Sequence, residues 1–181
     1  GLLTCRPVLA SSFDTGYSPA FEYLPNPDDP ENPIKVSAPG VDEEIGITLD
    51  DNPNTESYLL SITSSYPVIY KLGPAVLTGN DIEDAIAAYP ENEWIVSLEF
   101  KDTSAVKFTD LTKQLAKETG DKRRLAIVLD GELVSAPGIA IDVNTYIGIT
   151  GGTASISMWN TDTSESANNL AVILRYCALP V

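Results

Sequence analysis

The sequence runs to 181 residues, enough for one domain with a modest extra lobe, and its 43% hydrophobic content supports a buried core rather than wholesale disorder. Net charge is −15, from 26 acidic residues against 11 basic ones, which excludes a basic nucleic-acid-binding face. Histidine is absent, removing Ser-His-Asp triads, Cys-His dyads and histidine-ligated zinc, and two cysteines are too few for a thiolate zinc site.

The chain opens on Gly1-Leu2-Leu3 within "LLTCRPVL", which reads as a strand already under way, so a piece excised from something larger is expected. It holds no run of 18 apolar residues and no signal-peptide pattern. Residues 1–60 carry eight of the 13 prolines and eleven acids against two bases. Within them "EYLPNPDDPENP" (Glu22–Pro33) cannot be a helix or a central strand, because its prolines remove donors and restrict their neighbours, and it reads as an acidic solvated loop. In "LDDNPNTE" the oxygen side chains of Asp50, Asn52, Asn54 and Glu56 alternate as in calcium loops, but the glycine and closing glutamate of an EF-hand are missing. A turn between the strands "IGITL" and "SYLLSIT" is the plainer reading.

From residue 61 the pattern is more regular. "NDIEDAIAAYPE" is alanine-rich like a helix yet short and followed by a strand, which favours half of a hairpin. "EWIVSLEF" alternates, placing Trp94, Val96, Leu98 and Phe100 on one face of a strand. "TSAVKFTDLTKQLAKETG" predicts a helix, with Ala105, Phe108, Leu111, Thr112, Leu115 and Ala116 at three- and four-residue steps, Thr103 or Ser104 as cap and Gly120 as stop. "RRLAIVLDGELVSAP" gives two strands joined at Asp130-Gly131, a strong hairpin signal. "IDVNTYIGITGGTASISMWN" predicts further strand, broken at Gly151-Gly152. "DTSESANNLAVILRY" is a second helix opened by Asp162 or Thr163, with Ala167, Leu170, Ala171, Leu174 and Ile173 as its buried stripe. The fold class is α+β: a mostly antiparallel sheet with about two helices packed on one face.

No residue set forms a catalytic constellation. The adjacent acids Asp28/Asp29, Asp42/Glu43/Glu44 and Asp50/Asp51 read as solvated surface; a hydrolase would need two carboxyls facing across a cleft. "GITGGT" lacks the Lys-Ser/Thr of a phosphate loop, and Ser135 lacks the flanking glycines of a nucleophile elbow.

The segments "YKLGPAVLTGNDIEDA", "WIVSLEF", "KFTDLT", "RRLAIVLDGELVSAP", "ITGG" and "ANNLAVILRYCALPV", in this order, resemble SecD, the membrane-anchored accessory subunit of the Sec protein-translocation machinery. The resemblance covers roughly residues 66–181, plus "LLTCRPVL", similar to the family's "FRPV"-type strand. It divides the chain into the strand leading into the domain (1–8), a variable acidic proline-rich lobe (9–65), and a SecD-like α+β region (66–181) ending at the helix toward a missing second membrane span. It implies the first extracytoplasmic domain of that subunit, with ferredoxin-like character near the termini and a mobile head. By the same resemblance that head is expected to contact unfolded, emerging preprotein and to swing under the proton gradient. The implied partners are preprotein, SecF and the Sec translocon channel, with no nucleic acid, no cofactor, no metal and no enzymatic activity. The implied location is the extracytoplasmic side of the cell membrane, and the fragment is expected to be soluble and monomeric.

Asp130, Gly131, Ser135, Ala136 and Pro137 match a family motif read as a hairpin turn and strand exit; Leu170, Ala171, Leu174, Ala178, Leu179 and Pro180 match the helix toward the second span. Hinge candidates are Arg6, Pro7, Leu179 and Pro180. Two other readings stand beside this one: a secreted acidic adhesive or calcium-binding module, and an acidic-residue hydrolase. Cys5 stands where the family commonly has an aromatic, and Cys177 where it commonly has glycine. Inserted domains enter and leave at neighbouring points, and an extracytoplasmic compartment permits disulfides. A Cys5–Cys177 bridge is therefore expected, worth up to ~5 kcal/mol in chain-entropy terms, with free thiols as the alternative.

Overall fold

The computed structural model describes residues 2–11, 52–61, 68–157 and 164–177. Strand β1 (Leu3–Ser11) runs through the middle of the larger sheet. On one side it pairs antiparallel with β7 (Leu125–Leu129). On the other it pairs first with β4 (Leu77–Thr78), through Thr4 and Cys5, and then with β3 (Val68–Leu72), from Val8 onward. Strands β2 (Ser57–Ser61) and β8 (Glu132–Ser135) lie outside β3 and β7, giving the order β2-β3-β1-β7-β8.

A proline in a central strand normally costs a ladder hydrogen bond. Pro7 escapes this because its missing donor faces the point where the neighbour changes from β4 to β3. There Gly73 N–H donates to the Pro7 carbonyl at 2.9 Å. A side chain at Gly73 would put Cβ 2.9 Å from Pro7 Cγ, so the crossing requires glycine. Beside it Arg6, fully buried, donates from Nε to the Gly73 carbonyl and from Nη2 to the Thr55 carbonyl, both at 2.8 Å. The guanidinium thus ties the turn before β2 to the exit of β3.

The second sheet is β5 (Ile82–Ala88), β6 (Ile95–Phe100) and β9 (Thr153–Ser157), antiparallel with β6 central. Val96, Leu98 and Phe100 point inward and Glu99 outward, as their alternation predicts, with Trp94 half-buried against the same core. Helices α1 (Asp102–Leu115) and α2 (Ser164–Cys177) bury their apolar faces there too. Phe108 packs on Phe100 with ring centroids 4.5 Å apart, and Leu3, Cys5 and Ile127 of the larger sheet close the core from beyond. Burying each such Leu, Ile or Phe side chain contributes roughly 1.5–3 kcal/mol. The opposite face of the larger sheet holds a second core of Val8, Leu59, Val68, Tyr70, Leu72, Ala126 and Val128.

The α+β class holds, with the strands divided between two sheets rather than gathered in one. The ambiguous "NDIEDAIAAYPE" is strand β5 after a short 3-10 turn, not helix. Helix α1 begins at Asp102 with Lys101 as N-cap, so neither Thr103 nor Ser104 caps it, and it ends at Leu115. Gly120 (φ 59) instead opens a 3-10 turn. On α2, Ala167, Leu170, Ala171 and Leu174 are buried as expected, but Ile173 is exposed because it lies about 100° round the helix from that stripe. Asp162, Thr163, the strand "IGITL" and the loop Glu22–Pro33 lie outside the described residues. Among the described residues, no helix is long and apolar enough to cross a membrane.

Candidate functional site

The largest departure from the sequence reading is also, among the described residues, the most exposed apolar feature. Residues 141–150, expected as strand, form a loop. Asn144 accounts for this: its Oδ1 accepts from the N–H groups of Tyr146 (2.8 Å) and Ile147 (3.2 Å), and its carbonyl accepts from Gly148 N–H at 2.8 Å. Asparagine competes with sheet pairing in this way. Gly148 (φ 74) lies so close to α1 that an added Cβ would stand 2.4 Å from the Thr109 carbonyl.

Beyond that glycine the loop is bolted to α1. Thr109 Oγ1 donates to the Ile149 carbonyl at 2.8 Å, and Ile149 N–H donates to Thr112 Oγ1 at 2.9 Å. At the other end Arg123 donates to the Ile139 (3.2 Å) and Ala140 (2.6 Å) carbonyls and to the Ala116 carbonyl, joining the loop to the end of α1. Ile139 and Ile149 pack against the core. Between these anchors Ile141 is 94% exposed, Tyr146 82% and Ile147 55%. Three large apolar side chains within seven residues, held on a braced backbone, contribute little to folding and form a ready contact surface. Sequence reading missed it because isoleucine, valine, tyrosine and threonine favour strands; the signal to find it was Asn144 four residues ahead of Gly148.

Asp81 is a buried carboxylate. It sits at the α1 N-terminus, accepting from Ser104 Oγ (2.5 Å), Thr78 N–H (2.8 Å) and Lys107 Nζ (3.1 Å). Burial pushes its pKa up, but the hydrogen bonds from Ser104, Thr78 and Lys107 outweigh burial, and the net shift is downward. This is the chemistry of a structural carboxylate that ties the turn after β4 to two side chains of α1, not of a general acid. Among the described residues no group of three or more His, Cys, Asp or Glu could hold a metal. In the suggested calcium loop, Asn52 Oδ1 accepts from Asn54 N–H and Glu56 pairs with Lys71 at 3.1 Å; Asp50 lies outside the described residues.

The motif residues fall where chain geometry needs them. Asp130 (φ 49) and Gly131 (φ 84) are the two left-handed residues of the β7–β8 turn. Asp130 also accepts the Leu2 N–H on Oδ1 at 2.7 Å and donates its own N–H to the Leu2 carbonyl, fixing the start of β1. Ser135 ends β8, and Ala136 and Pro137 lead out of it. Arg6 and Pro7 lie within β1, while Leu179 and Pro180 lie outside the described residues. Cys5 is a free thiol, wholly buried, and burial with the nearby Asp81 charge pushes its pKa up to about 12. The side chain of Cys177 lies outside the described residues, and with it the expected pairing.

A family model described as SecDF, P1 head subdomain, matches residues 56–181. The protein translocase subunit SecD of Streptomyces coelicolor is 36% identical over 115 residues, covering 62% of this chain and 19% of that protein. The protein translocase subunit SecDF of Brucella abortus is 31% identical over 153 residues, covering 83% of this chain and 17% of that protein. The chain therefore spans about a fifth of the length of these curated relatives. A solved structure described as "Structure and function of a membrane component SecDF that enhances protein export" aligns over 99% of this chain and 64% of that one, with a TM-score of 0.53 and 27% identity. With the match spanning β2 through α2, the chain belongs to the SecDF P1 head subdomain family of protein translocase subunits.

Proposed function

We propose that this chain is the head of an export subunit that contacts unfolded preprotein emerging on the extracytoplasmic side. It works there with SecF and the Sec translocon channel while the proton gradient drives completion of transport. The single observation that carries this reading is the braced loop presenting Ile141, Tyr146 and Ile147 to solvent. An unfolded client offers apolar side chains in no fixed order, and a few rigid apolar contacts bind such chains weakly and without sequence preference. Strong net negative charge keeps so exposed a surface soluble and discourages self-association. The head needs no catalytic group for this task, and any swing relative to the membrane is taken up near Leu179-Pro180.

The test is site-specific photocrosslinking in the full-length subunit within a working translocase. A photoreactive amino acid at Tyr146 or Ile141 is expected to capture an arrested preprotein, and the same probe at the buried Leu111 is not. Absence of preprotein adducts from both loop positions, with export intact, rejects the reading.

A further inference from the structure

The two outer edges of the β5-β6-β9 sheet are treated differently. Phe100 N–H donates to the Gly152 carbonyl at 2.8 Å, and Glu99 lies opposite Thr153. Antiparallel alternation then turns the backbone groups of Gly152, Ala154 and Ile156 toward β6, and those of Thr153, Ser155 and Ser157 outward. At the other edge, β5, the outward groups of Ala85 are both taken: its N–H donates to Asp84 Oδ1 at 2.8 Å and its carbonyl accepts from Arg175 Nη2 at 2.8 Å. The outward groups of β9 meet no strand among the described residues, and Thr153 and Ser155 are exposed.

Natural sheets guard open edges with charge, proline or a bulge. Strand β9, Thr-Ala-Ser-Ile-Ser, has no charge and no proline, and its register with β6 runs without a shift. We propose that β9 is a docking edge that takes an extended, unfolded polypeptide segment carrying lysine or arginine as a fourth strand of this sheet. Charge complementarity selects that occupant. Glu99 is exposed on the outer face in register with Thr153, so a basic side chain on an added strand opposite Thr153 falls in the same cross-strand row. A second copy of this chain would bring −15 against −15. Main-chain pairing supplies affinity that is indifferent to client sequence. The proposal rests on the preprotein-binding reading and adds a second contact to it.

The test uses the 181-residue chain and a fluorescein-labelled peptide of alternating threonine and valine with a lysine at each end, followed by anisotropy. N-methylation that blocks both edges of the peptide is expected to weaken binding about tenfold, the loss of roughly one net hydrogen bond. Ser155→Pro removes only an outward donor and is expected to weaken binding to a similar degree, with thermal unfolding checking its fold. If that variant fails to fold, the N-methylated peptides read the same contact on the unaltered protein. Equal binding of methylated and unmethylated peptides overturns the proposal. So does sedimentation showing a dimer that Ser155→Pro abolishes, which would make a second copy the occupant. Crosslinking at Tyr146 with no effect of N-methylation removes the β9 edge alone and leaves the preprotein reading standing.

Discussion

Arg175 of α2 reaches across to Asp84 of β5, Nε to Oδ1 at 2.7 Å, while its Nη2 holds the neighbouring Ala85 carbonyl at 2.8 Å. One side chain thereby docks a helix onto a sheet and covers a backbone group that an open edge would expose. Arg175→Ala should destabilise the domain by about 1 kcal/mol, since the pair is partly exposed and most of the loss is the backbone contact. Urea unfolding measures it, and Arg175→Lys should recover only part, because an ammonium cannot make both bonds in the guanidinium's fork.

Asp81 joins β4, β5 and α1. Asp81→Ala leaves Ser104, itself buried, without its acceptor and should cost about 2 kcal/mol in chemical denaturation. Because the folded carboxyl titrates below its ordinary value, its contribution is fully present above an unfolded pKa of about 3.9 and fades as pH falls through the lower folded value. An acid titration of Asp81→Asn against the unaltered chain should show the two stabilities converging below that range.

Gly148→Ala tests the brace under the apolar loop. The left-handed backbone and the approach to the Thr109 carbonyl together should cost on the order of 2 kcal/mol. The loop should also detach locally, so limited proteolysis within residues 141–150 should accelerate more than global stability falls. Cleavage at an unchanged rate would show that the Thr109 and Thr112 contacts suffice without the glycine.

Cys5 should be inert in the folded chain. With its pKa raised to about 12 by burial and the Asp81 charge, it is a thiol rather than a thiolate at pH 8. Iodoacetamide should label it only after denaturation. A requirement for reductant before that label appears would instead demonstrate the Cys5–Cys177 bridge.

Local patterns determined much of this protein from sequence alone. The alternation of Val96, Leu98 and Phe100, the stripe of Phe108, Leu111 and Leu115, and the Asp130-Gly131 turn each arise from neighbours within one element, so their period or backbone demand is visible in the chain. The missed pieces depend on groups far apart in sequence. Asn144 and Gly148 set a loop only because Thr109 and Thr112 receive it. Asp81 finds the side chains of Ser104 and Lys107 only across more than twenty residues of chain. Pro7 sits in a central strand only because Gly73 passes beside it. Which sheet edge is covered was likewise decided in three dimensions: Arg175 can reach Ala85 only once α2 has packed, and among the described residues no strand pairs with the outer edge of β9. Hydrophobic periodicity dictates which face of an element is buried; tertiary packing decides which polar groups find partners, and so where the surface stays free to bind.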